Sequence, residues 1–425
     1  MHPVRYIHAA DLHLDAAFAG VSREAGPQSG HLTRIMSQAT FTAMERLFVL
    51  CEVERPDFLV IAGDIYNQED QSIRAQLRLR DACERLAGFG VRVFLAHGNH
   101  DPLPSRLHTL RWPANVTVFG NVVESHAVPR EGETVAFAHG ISHENAKEGR
   151  NLARSFRRRD SPCFQLGILH CSLEGGGAER YAPCSLEDLR ASGLDAWALG
   201  HVHERAVLSE QNPFALYSGN VQGLHINESG ERGCFLISAV PSDGGFSCTA
   251  AFKPLGPVIW QTRAISLNEV EHMDALDAIL HGALEELAAD APPGCEAVLT
   301  RLRLTGRTPL DAELRRPAAM ADVCERLRGV STHPPVWLKD IDLQTNPMAD
   351  VGAARDREDL LGETLRLAEA ARASGETMRA LADAAMKPLL EHARFRKALP
   401  PLSDEDHALL LNDAERMCFD LLENS

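Results

Sequence analysis

Five short stretches of this sequence place metal-ligating or proton-moving side chains where an apolar run stops. Asp11-Leu12-His13 follows the run from Val4 to Ala10, and Gly63-Asp64 follows FLVIA. Gly98-Asn99-His100-Asp101 follows VRVFLAH, His170 ends FQLGILH, and Gly200-His201-Val202-His203 follows AWAL. In extended chain, residues two apart face the same way, so Asp11 with His13, and His201 with His203, present paired donors. The glycines before Asp64, Asn99 and His201 let the backbone turn sharply and crowd the site. Asp11, His13, Asp64, Asn99, His170, His201 and His203 together offer two carboxylates, one amide and four imidazoles, without sulfur. Such a set suits manganese, iron or zinc and not copper(I) or an iron–sulfur cluster. It exceeds what one catalytic ion with open positions would take. It suits two ions sharing a carboxylate, about 3.5–4 Å apart. His100, beside a metal-binding Asn99, would be left to move protons.

Positioning such groups calls for an open α/β sheet, in which ligands collect at the carboxyl ends of the strands. Between the first two runs, Phe41, Met44, Phe48 and Cys51 recur at three- and four-residue steps, as an amphipathic helix requires. Ile73 to Leu86, with Leu77, Leu79, Cys83 and Leu86, reads as a second helix. TVAFAHG, FQLGILH and AWALGH read as further strands, and FALYSGN and CFLIS as a strand pair around the turn-forming ESGERG.

The character changes near Pro254 and Pro257. IWQTRAISL, AVLTRLRLTG and VWLKDIDL read as strands and Asn268 to Ala289 as an acidic helix, a small α+β module. From Met348 the chain reads as helical, with breaks at Pro388 and Pro400-Pro401. Its last helix carries an apolar stripe of Leu410, Ala414, Met417 and Leu421, with Ser403 as N-cap. The expected domains are residues 1–255, 256–345 and 346–425.

The 425 residues suit two or three domains, and 44% hydrophobic with 24% charged residues is ordinary globular composition. A net charge of -16 argues against broad attraction to nucleic acid or anionic lipid, although a local basic face or bound cations would reverse the field. Ten cysteines without a C-x-x-C pair read as reduced thiols rather than a zinc site. With no signal peptide and no run of ~18 to 20 apolar residues, the expectation is a cytoplasmic protein without membrane contact.

In their order, D-x-H, GD, GNHD, H and GHxH resemble the calcineurin-like metallophosphoesterase superfamily. DLHLDAAFAG, ATFTAMERL, LVIAGDIYN, RYAPCSLEDL and LYSGNVQGLHINESGERGCFLI are similar to its DNA repair exonuclease branch. That branch comprises the nuclease subunit of the bacterial SbcCD complex and, closer still, the YhaO proteins. The resemblance covers about residues 4–255, is looser to about 343 and is generic beyond. It implies an αββα sandwich, a small α+β capping domain that shapes DNA access, and a helical C-terminal region. It implies that Asp11, His13, Asp64 and His203 hold one ion, and Asp64, Asn99, His170 and His201 the other. It makes His100 the acid, oriented by Asp101, and manganese the usual metal. DNA as substrate, an SMC-type coiled-coil ATPase as partner and a homodimer also follow from it. The alternatives are a phosphodiesterase or phosphatase of nucleotides or small phosphoesters, and a scaffold that binds DNA ends. One departure stands out: a histidine common three residues after GD is Asn67 here, which puts duplex exonuclease action in question.

Other features have plainer readings. His8, His97, His108, His126 and His139 lie near strands without the motif spacing, and His225 is a candidate phosphate contact. Cys171 reads as a small buried hydrophobe. The basic run GRNLARSFRRRD reads as a solvated helix face, with phosphate contact as the alternative. SLEGGGAERY reads as a loop over the cleft.

Overall fold

The computed structural model describes residues 2–19, 29–67, 72–103, 111–173, 181–268, 270–348, 351–390 and 403–423. Strands β1 (Val4–Ala9), β2 (Phe58–Ala62) and β3 (Arg92–Ala96) are almost wholly buried. They are the parallel interior of one sheet, where both faces are covered and apolar residues run continuously. β4 (Val116–Val118) extends it beyond β3. On the other side β1 pairs antiparallel with β11 (Gly233–Ser242), and β11 with β12 (Gly245–Pro254). The order is β12-β11-β1-β2-β3-β4.

A second six-stranded sheet comprises β5 (Glu124–Arg130), β6 (Glu133–Gly140), β7 (Phe164–His170), β8 (Ala196–Gly200), β9 (Ala206–Ser209) and β10 (Phe214–Tyr217). Its order is β5-β6-β7-β8-β10-β9. Alternation along each strand builds the layers. Tyr6, Phe58, Val60 and Phe94 of the first sheet pack with Ala138, Phe164, Leu166 and Leu216 of the second. The opposite faces of the first sheet, Ile7, Leu59, Ile61 and Val93, receive Phe41, Met44, Phe48 and Cys51 of helix α1 (Ser29–Glu54). Leu79, Cys83 and Leu86 of α2 (Ile73–Ala87) join them. The outer face of the second sheet, with Trp197 and Leu199, meets Phe156 and Leu189, the latter from α3 (Leu186–Ala191). The result is the expected αββα sandwich.

A three-stranded sheet follows, β13 (Val258–Ser266), β14 (Ala297–Arg307) and β15 (Val336–Asn346), with β14 central. It is accompanied by α4 (Met273–Ala289), α5 (Asp311–Leu314) and α6 (Pro317–Arg328). Then come α7 (Val351–Arg355), α8 (Leu360–Arg372), α9 (Gly375–Leu390) and α10 (Asp404–Glu423). By contacts the chain forms two compact units, the larger from Met1–Ile265, Asp277–Arg303 and Asp322–Asp342, the other from the remaining segments. The second unit's helices close on Ala354, Leu361, Leu365 and Phe419.

Several expectations change. FALYSGN and CFLIS do not pair: β10 pairs with β8 and β9, whereas β11 lies in the other sheet. The partner of CFLIS is β12, across the two-residue turn Asp243-Gly244 between Ser242 and Gly245. Asp-Gly is a strong hairpin signal, and it outcompetes ESGERG. The basic run is not a helix face. Only Leu152–Ser155 makes a single 3-10 turn, and its arginines are engaged. Arg150 pairs with Glu148, Arg154 with Asp188 and Arg158 with Asp195, while Arg159 lies 5.0 Å over Phe137. Pro388 falls within α9, and Pro400-Pro401 lie outside the described residues. Ser403 does cap α10, its Oγ accepting from the Asp406 N–H at 3.1 Å. All ten cysteines are free, and no helix among the described residues is long and apolar enough to cross a membrane.

Candidate metal centre

Strands β1, β2, β3, β7 and β8 end at one rim, and the loops leaving them bend inward at once. Asp11, His13, Asp64 and His201 all have positive φ (51°, 40°, 49° and 100°), a region side chains rarely adopt. Backbone hydrogen bonds from Asp11 N to Gly63 O (3.0 Å) and His13 N to Asp64 O (3.1 Å) hold the first two loops together. Strain of this kind persists where surroundings over-determine it, and it clusters at functional sites. The glycines explain the closeness. A Cβ on Gly63 would strike His170, one on Gly98 would strike Asp64 and His170, and one on Gly200 would strike the Ala62 carbonyl.

The side chains brought together are those singled out in the sequence. The ligand atoms of Asp11, His13 and His203 lie within 4.8 Å of one another, as do those of Asp64, His170 and His201. Asp64 lies between the groups, its Oδ2 3.2 Å from His170 Nε2 and 4.0 Å from His13 Nε2. Asn99 Oδ1 reaches His170 Nε2 at 3.0 Å and His201 Nδ1 at 3.2 Å. Both carboxylates of Asp11 and Asp64 and the ring of His170 are buried.

Hydrogen bonds on the far side of each ring fix its tautomer. His13 Nδ1 donates to Asn67 Oδ1 (2.7 Å), His203 Nδ1 to Glu228 Oε1 (2.5 Å) and His170 Nδ1 to the Ala62 carbonyl (3.0 Å). In its neutral form each ring therefore turns an Nε2 lone pair inward. Two of those nitrogens, on His13 and His203, face each other at 3.1 Å. The third, on His170, faces the oxygens of Asp64 and Asn99. With the rings neutral, acceptor faces acceptor at these distances, which is repulsive unless positive charge, a proton's or a cation's, lies among them. This donor set fits divalent cations.

The electrostatics agree. Burial opposes protonation of His170, yet Asp64 and Asp11 outweigh it and lift the ring to about 9. Burial would raise Asp64, but His170 and His13 hold it well below the usual carboxylate range. His201, desolvated and beside His170, is depressed to about 3. The cluster as a whole calls for positive charge at its centre.

His100 lies exposed at the rim, its ring centroid 5.2 Å from that of His13 and its N–H bonded to Asp64 Oδ1 at 2.9 Å. Asp101 does not orient it. The Asp101 carboxylate accepts from Gly98 N (2.7 Å), Ile65 N (2.9 Å) and His97 Nδ1 (3.0 Å). Buried, it binds the GD and GNHD loops together, and its ring partner is His97, not His100. Sequence reasoning missed Asn67 and Glu228 as ring-positioning groups.

Glu228 is itself fixed, Oε2 accepting from Leu224 N (2.6 Å) and Asn220 Nδ2 (3.1 Å). His203 and those donors hold it down to about 2 against the effect of burial. Glu228→Gln would set an amide N–H against one of these donors. Metal affinity should fall roughly 10- to 100-fold with the fold intact, read by competition with a fluorescent chelator. An unchanged affinity would remove Glu228 from the site.

Among the other histidines, His126 pairs with Glu124, His139 with Gln165, and His225 Nδ1 accepts from Asn227 N. Cys171 is buried with Cys184 Sγ at 3.6 Å. His108 and residues 174–180 of the glycine-rich loop lie outside the described residues.

Residues 4–205 match the calcineurin-like phosphoesterase family, and residues 260–346 match the middle domain of the metallophosphoesterase YhaO. The uncharacterized metallophosphoesterase YhaO of Bacillus subtilis is 34% identical over 306 residues, 72% of each chain. This chain belongs to the calcineurin-like metallophosphoesterases, in the YhaO-like branch. The DNA double-strand break repair protein Mre11 of Aeropyrum pernix is 26% identical over 254 residues, 56% of this chain and 58% of that one. A dimetal phosphatase from Danio rerio is 13% identical, covering 59% of this chain and 99% of its own, with a TM-score of 0.36. As a metallophosphoesterase the chain is a hydrolase, and the converging donors are its candidate divalent-metal site.

Proposed function

We propose that this protein is a two-metal phosphodiesterase acting on DNA, the nuclease partner of an SMC-type coiled-coil ATPase in DNA repair. The observation that carries the reading is the inward convergence of four imidazole rings on Asp11 and Asp64. Asp11, His13, Asp64 and His203 would hold one ion, and Asp64, Asn99, His170 and His201 the other, with manganese the proposed metal. When bound, the ions supply charge that neutralises phosphodiester oxygens and make hydroxide available near neutral pH. The chain's own groups do the rest. Asn67 and Glu228 hold the His13 and His203 rings, so the donors are ordered before substrate arrives. His100, exposed and clear of the Asp101 carboxylate, offers its proton to the departing oxygen.

DNA is favoured by the likeness to Mre11 and by the chain beyond the phosphoesterase domain, which a small phosphoester hardly requires. Docking of an ATPase coiled coil through α10 is supported by the stripe expected there. Leu410, Met417 and Leu421 are 40%, 62% and 68% exposed. Helix-in-groove binding uses such spacing. A homodimer and cytoplasmic location are parts of the same proposal.

The test is cleavage of 5′- and 3′-labelled single- and double-stranded DNA with manganese, with and without the ATPase. Cyclic nucleotides and bis(p-nitrophenyl) phosphate run alongside. The proposal expects metal-dependent DNA cleavage. Hydrolysis of the small esters with every DNA left intact would sink it in favour of a small-phosphoester enzyme.

A further inference from the structure

Beside the metal centre lies a cavity of about 350 Å³ that none of the proposed ligands lines. Its walls come from the segment immediately after the D-x-H motif, Asp15 to Phe18, from Thr33, Met36 and Ser37 of α1, and from Arg74 of α2. Asp15 is two residues past His13, and two extended residues span at most ~7 Å. The Asp15 wall of the cavity therefore lies within ~7 Å of the His13 backbone.

Asp15 is held firmly, with φ of 70° and its N–H bonded to Thr40 Oγ1 at 3.1 Å. Its carboxylate accepts from Ser72 Oγ and from Arg74 Nη2, each at 2.5 Å. The Arg74 guanidinium also lies 4.5 Å over the Phe41 ring. The charge of Arg74 is thus met by Asp15, so this wall has little to offer a phosphate. What remains is apolar and flat: the half-buried Phe18 ring, braced against Trp260 at 6.1 Å, the Met36 thioether and two alanines. Beside Met36 on the same helix, the Thr33 and Ser37 hydroxyls stand one helical turn apart. Ser37 Oγ donates to the Arg34 carbonyl at 3.0 Å, which leaves its lone pairs to accept. An aromatic face with hydrogen-bonding groups at its edge matches a heteroaromatic ring.

We infer that this cavity is a nucleobase subsite, taking the base of the nucleotide that flanks the bond being cut. The assignment rests on the DNA reading above and adds to it a place for the base. The base would stack on Phe18 and Met36 while its edge meets Thr33 and Ser37. Stacking tolerates every base, so the subsite would strengthen binding without reading sequence.

The experiment uses the full chain with manganese and a set of labelled single-stranded oligonucleotides in which one tetrahydrofuran abasic residue is stepped along the strand. Wild-type cleavage should fall about 5- to 100-fold when the abasic residue flanks the cut. Phe18→Ala should lose a similar factor on intact DNA and then be indifferent to the abasic position, whereas Phe18→Trp should restore the dependence. As Phe18 is only half-buried, the variants should melt near the wild type. An equal abasic effect in wild type and Phe18→Ala would overturn the subsite while leaving the nuclease reading standing. Wild-type protein that hydrolyses bis(p-nitrophenyl) phosphate but cuts no oligonucleotide would remove both.

Discussion

Asp64→Asn should lower metal-dependent phosphodiester cleavage by more than about 10³-fold while leaving the fold intact. No other carboxylate in the cluster serves so many partners. Its Oδ2 faces His170 and His13, one ring from each group of donors, and its Oδ1 holds the His100 N–H. Asparagine keeps the shape, so the loops backed by Gly63 and Gly98 need not move. It removes the charge, and it replaces one oxygen by an amide nitrogen. If that nitrogen takes the Oδ2 place, its N–H groups point where the donor lone pairs converge. If it takes the Oδ1 place, it opposes the His100 N–H. Either way the cluster loses the negative charge common to both groups. Metal analysis should then find fewer than two ions per chain. Added manganese, which stabilises a folded protein that binds it, should raise the melting temperature less than in wild type. Cleavage at the wild-type rate by a purified, metal-loaded Asp64→Asn protein would refute the shared role of this carboxylate.

How far the sequence could have led depends on the distance over which each feature is determined. Strand cores such as Leu59 to Ala62 and Leu166 to Leu169 are continuous apolar runs, so strand and burial are legible locally. The ligand types at their ends are legible too, because parallel strands must deliver their carboxyl ends to one rim. The positioning groups are different. Glu228 finds His203 from 25 residues away, and Asn67 finds His13 from 54 residues away, through loops whose courses no local pattern fixes. Asp101 misled for the opposite reason. It adjoins His100 in sequence, but in a tight loop adjacent side chains diverge, and backbone donors from Ile65 and Gly98 claim its oxygens. The pairing of β10 with β11 failed because a strand has two edges and several suitors. The parallel register with β8, from Phe214 against Ala196 onward, holds β10 in the second sheet.

His100→Ala should separate holding the ions from using them. The ring is exposed at the rim, and its loss creates no cavity. The tie from this position to Asp64 is a backbone N–H, which alanine keeps. Two ions should therefore still bind with affinity near that of the wild type. DNA cleavage should nevertheless fall about 10²- to 10⁴-fold, the range for removal of a general acid. The leaving group tells this role from a merely structural one. A DNA alkoxide is a strong base that needs a proton as it departs, whereas p-nitrophenolate departs without one. Hydrolysis of bis(p-nitrophenyl) phosphate should thus fall by under about tenfold in the same protein. A loss of equal size on both esters would show that His100 supports the loop or the ions rather than the proton transfer.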